Sequence, residues 1–549
     1  MSMLTAGKTL AALDPAVQDA PHIDYLMLAP MLVIFAVAVL GVLAEAFVPR
    51  GYRRTTQLVL AFAGLVVAFG FLLAQLRELP ADAPGITIAF ATVAVDRPTL
   101  FLHGTLLLLA LVSLLLIAGN REAAFVPQAA TIPGSEEERE YEEDGSEHTE
   151  VYPLVLFAVL GMLLFPAAND FLTMFVALEV LSFPLYLLCA LARRRRLFSQ
   201  EAAIKYFLLG SYSSAFFLFG IALVFGYAGS VHFADIADAA AAGGAGVVEQ
   251  GEPLLMIGIA LIGMGLLFKV GAVPFHNWKP DVYQGAPTPV TALMASGTVV
   301  AAFGGLLRVF YVAFGGMAWD WRPMMWVVAI LTMVVAAAIA VTQRDIKRLL
   351  AYSSVVHAGF ILTAVVAASP EGLAGALFYL AAYGFTTLGA FAIVTLVRVR
   401  EGGAEAGELT QWAGLGRSHP WLAGALALFL LAFAGIPLTS GFIGKFAVFE
   451  AAVSAGATPL VVIGVLASAI TAYFYVRIIV LMYFSEQQSE GPWVAAPGPL
   501  TGSVIAVGAA ATLVLGIVPG PVFDHLLPQP AQATTELPEE AGPMDMYIR

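Results

Sequence analysis

The chain has 549 residues, 60% of them hydrophobic and only 12% charged, and apolar stretches of roughly twenty residues recur from Leu26 to Pro519, a pattern whose natural solvent is lipid. A water-soluble globular fold is excluded. The formal charge of −13 is concentrated in Glu136–Glu150 and in the tail from Glu536, so it says nothing about nucleic acid. With one cysteine, Cys189, the chain is expected to hold no disulfide, no CxxC metal site and no iron–sulfur cluster of its own.

The first apolar stretch follows about 25 mixed residues and runs to Phe47 without a small-residue cleavage site, so it reads as a span rather than a removable signal. Segments bounded by charge, Pro or Gly clusters place spans near 26–47, 57–76, 99–119, 151–168, 171–192, 201–227, 253–274, 290–313, 323–342, 346–367, 372–397, 420–450, 457–483 and 500–518. That is an all-α polytopic membrane protein of about fourteen transmembrane helices.

With both termini on the non-cytoplasmic side, the cytoplasmic loops carry Arg50, Arg53, Arg54, Arg121, Arg139, Arg193 to Arg196, Lys279, Arg344, Lys347, Arg348, Arg398, Arg400 and Arg417. The opposite loops carry only Arg77, Arg97 and Arg322. Sixteen against three follows the positive-inside bias. The acidic run Glu136–Glu150 reads as a solvated cytoplasmic loop, with docking of a partner subunit as the alternative. The four arginines from Arg193 read as an orientation anchor.

Beyond the three residues at either end, the spans hold six charged residues: Glu179, Lys205, Lys269, Arg308, Lys445 and Arg477. Each costs roughly 2.5–3.5 kcal/mol at mid-membrane and needs a reason. Arg308 and Arg477 lie about six residues from span ends and are expected to snorkel to the headgroups. Glu179, deep in FVALEVLSFPLY, must be protonated, paired or hydrated; a structural ion pair competes with a proton-handling role. Lys205 has two readings, snorkelling or reaching toward Glu179. Lys269 and Lys445 stand beside Gly271 and Pro274, or Gly435, Pro437, Gly441 and Gly444, which interrupt the helical ladder. Such breaks are tolerated only inside protein or along a wet cavity. FKVGAVPFH and AGIPLTSGFIGKF are five spans apart, an odd offset that reverses direction through the membrane, as in inverted repeats built around broken helices. His276 and His357 are candidate proton relays, and His103 is read as a packing residue.

These motifs resemble a known family. KVGAVPFHNWKPDVYQGAPTPV is similar to the seventh-helix signature of the subunit N family of NADH-quinone oxidoreductase (respiratory complex I). Its PDVYQGAP portion differs from subunits L and M and from multisubunit cation/proton antiporters. FVALEVLSFPLY, EAAIKYFLLGSYSSAFFLFG, DIKRLLAYSSVVHAGF and AGIPLTSGFIGKF are similar to that family's fifth, sixth, tenth and twelfth helices, and the resemblance runs from about residue 25 to 485.

The resemblance implies two inverted five-helix repeats containing broken helices. Residues 1–150 would hold three helices and the acidic loop, 151–315 the first repeat, 320–485 the second, and 486–549 a last helix and tail. It implies a proton path through Glu179, Lys205, Lys269 and Lys445, and partner subunits that carry FMN, iron–sulfur clusters and quinone, in a bacterial cell membrane. Two alternatives remain: a subunit of a cation/proton antiporter, or a spacer whose pump has decayed.

The second alternative arises from one departure. About thirty residues after Lys269, where the family usually has lysine, stands Val299. Lys279, where the family tends to have threonine, is placed in a loop too shallow to replace it. The expected substitute is a hydrated stretch with His357 as relay, facing the bundle interior.

Overall fold

Lipid offers no hydrogen-bond partner to the backbone, so each crossing segment must satisfy its own peptide groups as a helix. The structure, a computed structural model, describes residues 23–79, 85–119, 148–191, 196–243, 251–399, 404–486 and 493–526. Arg121, Arg139, Arg193 to Arg195, Arg400 and most of the acidic run lie outside the described residues. Among the described residues twelve helices are long and apolar enough to cross a membrane; with the shorter apolar helices Val151–Ala167 and Pro420–Ala434 they make fourteen crossings.

In chain order the helices that make the crossings, whole or in halves, are α1 Tyr25–Phe47, α2 Arg50–Glu78, α3 Arg97–Gly119, α4 Val151–Ala167, α5 Phe171–Cys189, α6 Arg196–Ala228, α7 Glu252–Val270, α8 Trp278–Gly285, α9 Thr288–Ala313, α10 Ala318–Thr342, α11 Ile346–Ala367, α12 Pro370–Val394, α13 Pro420–Ala434, α14 Ser440–Ser454, α15 Thr458–Phe484 and α16 Pro499–Ile517. The seventh crossing breaks between α7 and α8, and the twelfth between α13 and α14. Each break begins at a left-handed glycine, Gly271 at φ 79° and Gly435 at φ 82°, where a Cβ would be strained. The amides just beyond, Ala272 N and Ile436 N, turn back to Leu267 O and Leu431 O, at 2.9 and 3.1 Å.

The chain repeats itself five crossings apart. Asp170 caps α5, accepting from Leu172 N and Thr173 N at 2.8 Å, and Asp345 caps α11, accepting from Lys347 N at 2.9 Å and Arg348 N at 3.0 Å. Each cap is clamped to a later loop by a backbone pair. Phe171 N donates to Val231 O (3.1 Å) and Phe233 N to Asn169 O (3.2 Å); Ile346 N donates to Gly407 O and Leu409 N to Arg344 O, both at 2.8 Å. The helices α4 to α9 therefore correspond to α10 to α15, in opposite directions through the membrane.

At the centre α9 and α11 are enclosed by the chain itself, and α12 nearly so, whereas α1, α2, α15 and α16 leave most of their surface uncovered by it. Trp319 and Trp421, 89% and 92% exposed, stand at the starts of α10 and α13. An odd and an even crossing begin on opposite sides, so the two indoles mark the two interfaces.

Arg308 corrects the snorkelling expectation. It is buried, with Nη1 2.7 Å from Asp96 Oδ2, Nη2 donating to Asp96 Oδ1 at 2.9 Å and Nε donating to Pro166 O at 2.8 Å. Its side chain points into the bundle because a two-pronged carboxylate before α3 is within reach there. Burial by itself would raise the Asp96 carboxyl, but the Arg308 guanidinium and the Thr99 hydroxyl hold it below the usual carboxylate range. Arg477 is exposed, its Nη1 donating to Val341 O at 3.2 Å, as expected of a snorkelling side chain.

Removing one member of such a pair strands a buried charge. Asp96→Ala should cost roughly 3 kcal/mol, measured as earlier thermal loss of the subunit from the purified complex, while Arg477→Ala leaves that transition in place.

Candidate functional site

Each broken crossing presents a buried lysine to the protein interior. Lys269, in the last turn of α7, is 4% exposed. Its Nζ donates to Ser182 Oγ on α5 at 2.7 Å and to Tyr206 OH on α6 at 3.2 Å. Tyr206 is held in place by Trp278, stacked on it at 4.8 Å, and the Trp278 indole donates to Phe268 O at 3.0 Å. The break delivers Trp278 to this position by turning the chain back across the end of α7.

Glu179 lies one helical turn before Ser182, half-buried, with its Oε1 enclosed and without a hydrogen-bond partner. It is within electrostatic range of Lys269. The two form no direct ion pair, so the carboxylate acts on the lysine through space or through water.

Lys205 is not Glu179's partner. Its Nζ lies 2.6 Å from Glu201 Oε1, one turn earlier on α6, and 2.6 Å from Asp281 Oδ2 on α8, and its side chain is 40% exposed. An exposed ammonium takes the nearest carboxylates rather than crossing apolar space. Asp281, which sequence reasoning missed, also binds Arg348 Nη1 through Oδ1 at 2.6 Å. Its signal was present: an acid in PDVYQG facing the basic start of DIKRLL. Beside it, Lys347 Nζ lies 2.8 Å from Glu405 Oε2. Burial alone would raise Glu405, but Lys347 and the Thr288 hydroxyl hold it below the usual carboxylate range. This polar cluster ties α8 of the first repeat to α11 of the second.

His276 sits in the first break, buried, its ring edge-on to Tyr352 at 6.1 Å and its Nδ1 without a partner. Lys279 corrects the sequence reading. It is fully buried, not shallow, and its Nζ donates to Ser354 Oγ on α11 at 3.0 Å. A lysine in a connecting segment can be deep because the chain re-enters the bundle at the break.

Val299 is buried, and α9 carries no charged side chain other than Arg308. Ser296 is spent on its own helix, donating to Ala292 O at 2.7 Å, whereas the Thr298 hydroxyl is enclosed and without a partner. Residues Met294–Thr298 form a π turn, a local widening of the helix that recurs at functional sites.

His357 faces the bundle interior, 1% exposed. Its Nδ1 is 2.7 Å from Tyr379 OH and its Nε2 3.2 Å from Tyr475 OH, and Tyr475 also bonds Ser353. The tyrosines on α12 and α15 were absent from the sequence reading, because a tyrosine in an apolar span is indistinguishable from packing until its hydroxyl finds a partner. His103 is a packing residue as expected, its Nε2 2.8 Å from Leu163 O.

Lys445, on α14, donates to Phe433 O at 2.9 Å, Ala434 O at 3.0 Å and Ser468 Oγ at 2.9 Å. Three acceptors satisfy the three ammonium protons. Two of them are end carbonyls of α13, where the helix dipole is negative. The ammonium also lies 4.8 Å above the Phe360 ring.

Lys269, Lys279, His357 and Lys445 thus form a series of titratable groups enclosed in protein, each held by hydroxyls or carbonyls rather than by carboxylates. Among the described residues no group of three or more His, Cys, Asp or Glu side chains could hold a metal ion.

Residues 168–471 match the family described as NADH:quinone oxidoreductase/Mrp antiporter, TM. The chain is 69% identical to NADH-quinone oxidoreductase subunit N of Thermobifida fusca, over 97% of either chain. It is 58% identical to the subunit N of Rhodococcus opacus, over 93% of this chain and 96% of that one. Among solved structures, a chain of respiratory complex I from Thermus thermophilus with bound aureothin superposes with a TM-score of 0.73 at 31% identity, covering 91% of this chain and 99% of that one. A chain of the Mrp complex from a Dietzia species superposes with a TM-score of 0.77 at 21% identity, covering 91% and 96%, a likeness of fold alone.

Lys445 and Arg477 separate buried from snorkelling cations. Lys445→Met should lower NADH-quinone turnover by roughly ten-fold, and Arg477→Met by much less, in membranes with matched amounts of assembled complex.

Proposed function

The chain belongs to the subunit N family of NADH-quinone oxidoreductase, proton-translocating subunits of the membrane arm of respiratory complex I, and from that membership we propose that protons move along its buried series of titratable side chains. It is a multi-pass membrane protein of a bacterial respiratory complex, with the other subunits of that complex as its partners.

The observation that carries the reading is the pair of lysines at the two helix breaks, both buried and both held without a carboxylate. An ammonium locked in a salt bridge is a fixed structural charge; one held by hydroxyls and carbonyls can give up its proton at modest cost. Lys269 exchanges a proton with its hydroxyl partners, and the charge on Glu179 sets how readily it does so. Lys445 plays the same part at the far break, with His357 and its two tyrosines between. The Lys205–Asp281–Arg348 cluster is the polar mouth from which the first lysine is loaded.

The magnitudes are commensurate. Two unit charges about 10 Å apart at an effective dielectric of about 20 interact by roughly 1.7 kcal/mol, and moving one proton against 100 mV costs about 2.3 kcal/mol. Rearranged pairing around Glu179 and Lys269 therefore supplies energy on the scale of one translocation step, without surplus.

In this reading the chain performs no redox chemistry. FMN, iron–sulfur clusters and quinone belong to partner subunits, consistent with a lone buried cysteine whose Sγ packs 3.5 Å from Met294 Sδ. The arginine and lysine bias supports a topology with both termini on the non-cytoplasmic side. An alkaline phosphatase fused after the last residue should then be active, and inactivity there reverses the orientation.

Glu179→Gln tests the path itself, since it keeps shape and removes charge. Proton pumping and coupled NADH-quinone activity should fall by roughly ten-fold with assembly intact; normal pumping in assembled complex removes Glu179 from the path.

A further inference from the structure

The two helix breaks are built alike, and the likeness singles out a lysine that the path above leaves unused. At Gly435 an added Cβ would stand 2.9 Å from Lys445 Cδ and 3.2 Å from its Nζ; at Gly271 it would stand 2.5 Å from Lys279 Cδ and Cε and 3.0 Å from its Nζ. In both repeats the side chain of a lysine from the second half of the broken crossing lies across the left-handed glycine that ends the first half. The spacings are close but not equal, 10 residues from Gly435 to Lys445 and 8 from Gly271 to Lys279. By the place of its side chain across the glycine, Lys445 corresponds to Lys279 and not to Lys269, which stands two residues before its glycine where the second repeat has Phe433.

The two lysines differ in their partners. Lys445 has three acceptors, two of them carbonyls, whereas Lys279 has a single hydrogen bond among the described residues, to Ser354 Oγ. Two of its three protons therefore call for water. The surroundings offer further polar atoms with the same need. Tyr283 OH, on the same helix as Lys279, and the hydroxyls of Thr298 and Thr387 are enclosed without a hydrogen-bond partner, and buried polar groups of this kind are served by internal water.

Position also favours it. The tail of Lys279 touches Gly271, two residues past Lys269, and its ammonium reaches Ser354, one turn before His357 on α11. Ser353 alongside is bonded to Tyr475, which is bonded to His357. Lys279 thus stands where the first repeat's lysine site meets the second repeat's histidine, a junction at which α9 supplies no charged side chain, only Val299 and the Thr298 hydroxyl.

We propose that Lys279 is the proton carrier that joins the two halves of the path. The neutral amine takes a proton arriving from Lys269, which becomes neutral. The ammonium so formed passes one proton to the Ser354 side, where hydroxyls and water each accept one proton and release another until His357 is protonated, and Lys279 returns to the amine. The proposal rests on the proton-path reading above, and Lys269 serves to distinguish the two.

The test uses the whole complex in inverted membrane vesicles, with NADH-driven proton uptake and turnover measured across pH. Lys279→Met should lower proton uptake by about ten-fold or more, as should Lys269→Met. Lys279→His should keep part of the activity and move the alkaline limb of the profile to lower pH, because imidazole loses its proton near pH 6.5 and lysine near 10.4. Loss with Lys269→Met but normal uptake with Lys279→Met overturns the carrier and leaves the path; normal uptake in both overturns the path. Equal losses for Met and His with an unmoved limb show a packing role and overturn the carrier. If neither substitution assembles, Ser354→Ala decides: loss of the ammonium's acceptor should shift the alkaline limb to lower pH, and an unshifted limb overturns the proposal.

Discussion

An ammonium group in the middle of a membrane is the constraint around which the rest of the molecule is arranged. Hydrocarbon will not solvate it, and a carboxylate partner would fix its charge, which is incompatible with the proposed role of a proton carrier. The structure resolves this by ending a helix early. At Gly271 and Gly435 the left-handed turn frees carbonyl groups at membrane depth and opens room beside them, and long lysine side chains lie across the opening. The break is possible only because surrounding helices enclose it, which is why α9, α11 and α12 carry almost no lipid-facing surface.

The same economy explains which polar side chains are neutral and which are charged. Deep in the bundle the partners are Ser182, Tyr206, Ser354, Tyr379 and Tyr475, groups that can both donate and accept and so pass a proton without holding it. Toward the ends of the helices the partners are carboxylates. Asp96 fixes Arg308, Asp281 fixes Lys205 and Arg348, and Glu405 fixes Lys347. These pairs cross between helices far apart in the chain and hold the frame, while the groups between them are joined by hydroxyls rather than by carboxylates.

The two repeats are fastened to each other through the first break rather than through the spans alone. From α8, Lys279 reaches Ser354, Asp281 reaches Arg348 and Gln284 reaches Asp345 at 3.1 Å, all on or beside α11. Asp345 is also the cap of α11 and the counterpart of Asp170. A shift of α8 would therefore be felt at the start of the second repeat and one turn from His357. This gives a physical route by which a change in charge at one break alters the other.

Much of the architecture was legible in the sequence because lipid enforces a one-dimensional code. Apolar length gave the fourteen crossings, Gly and Pro beside Lys269 and Lys445 gave the breaks, and the odd spacing of the two motifs gave the inversion. Partners were not legible. Lys205 and Asp281 are 76 residues apart, Lys279 and Ser354 are 75 apart, and Arg308 and Asp96 are 212 apart. Nothing in local composition says that a lysine after a break is deep or that an arginine near a span end turns inward. Depth in a membrane bundle depends on how a broken chain folds back against its neighbours, and the side chain then takes whichever acceptor that packing brings within hydrogen-bond reach. The sequence alone thus determined that charges would be buried at two breaks; only the tertiary structure decided which side chains they meet.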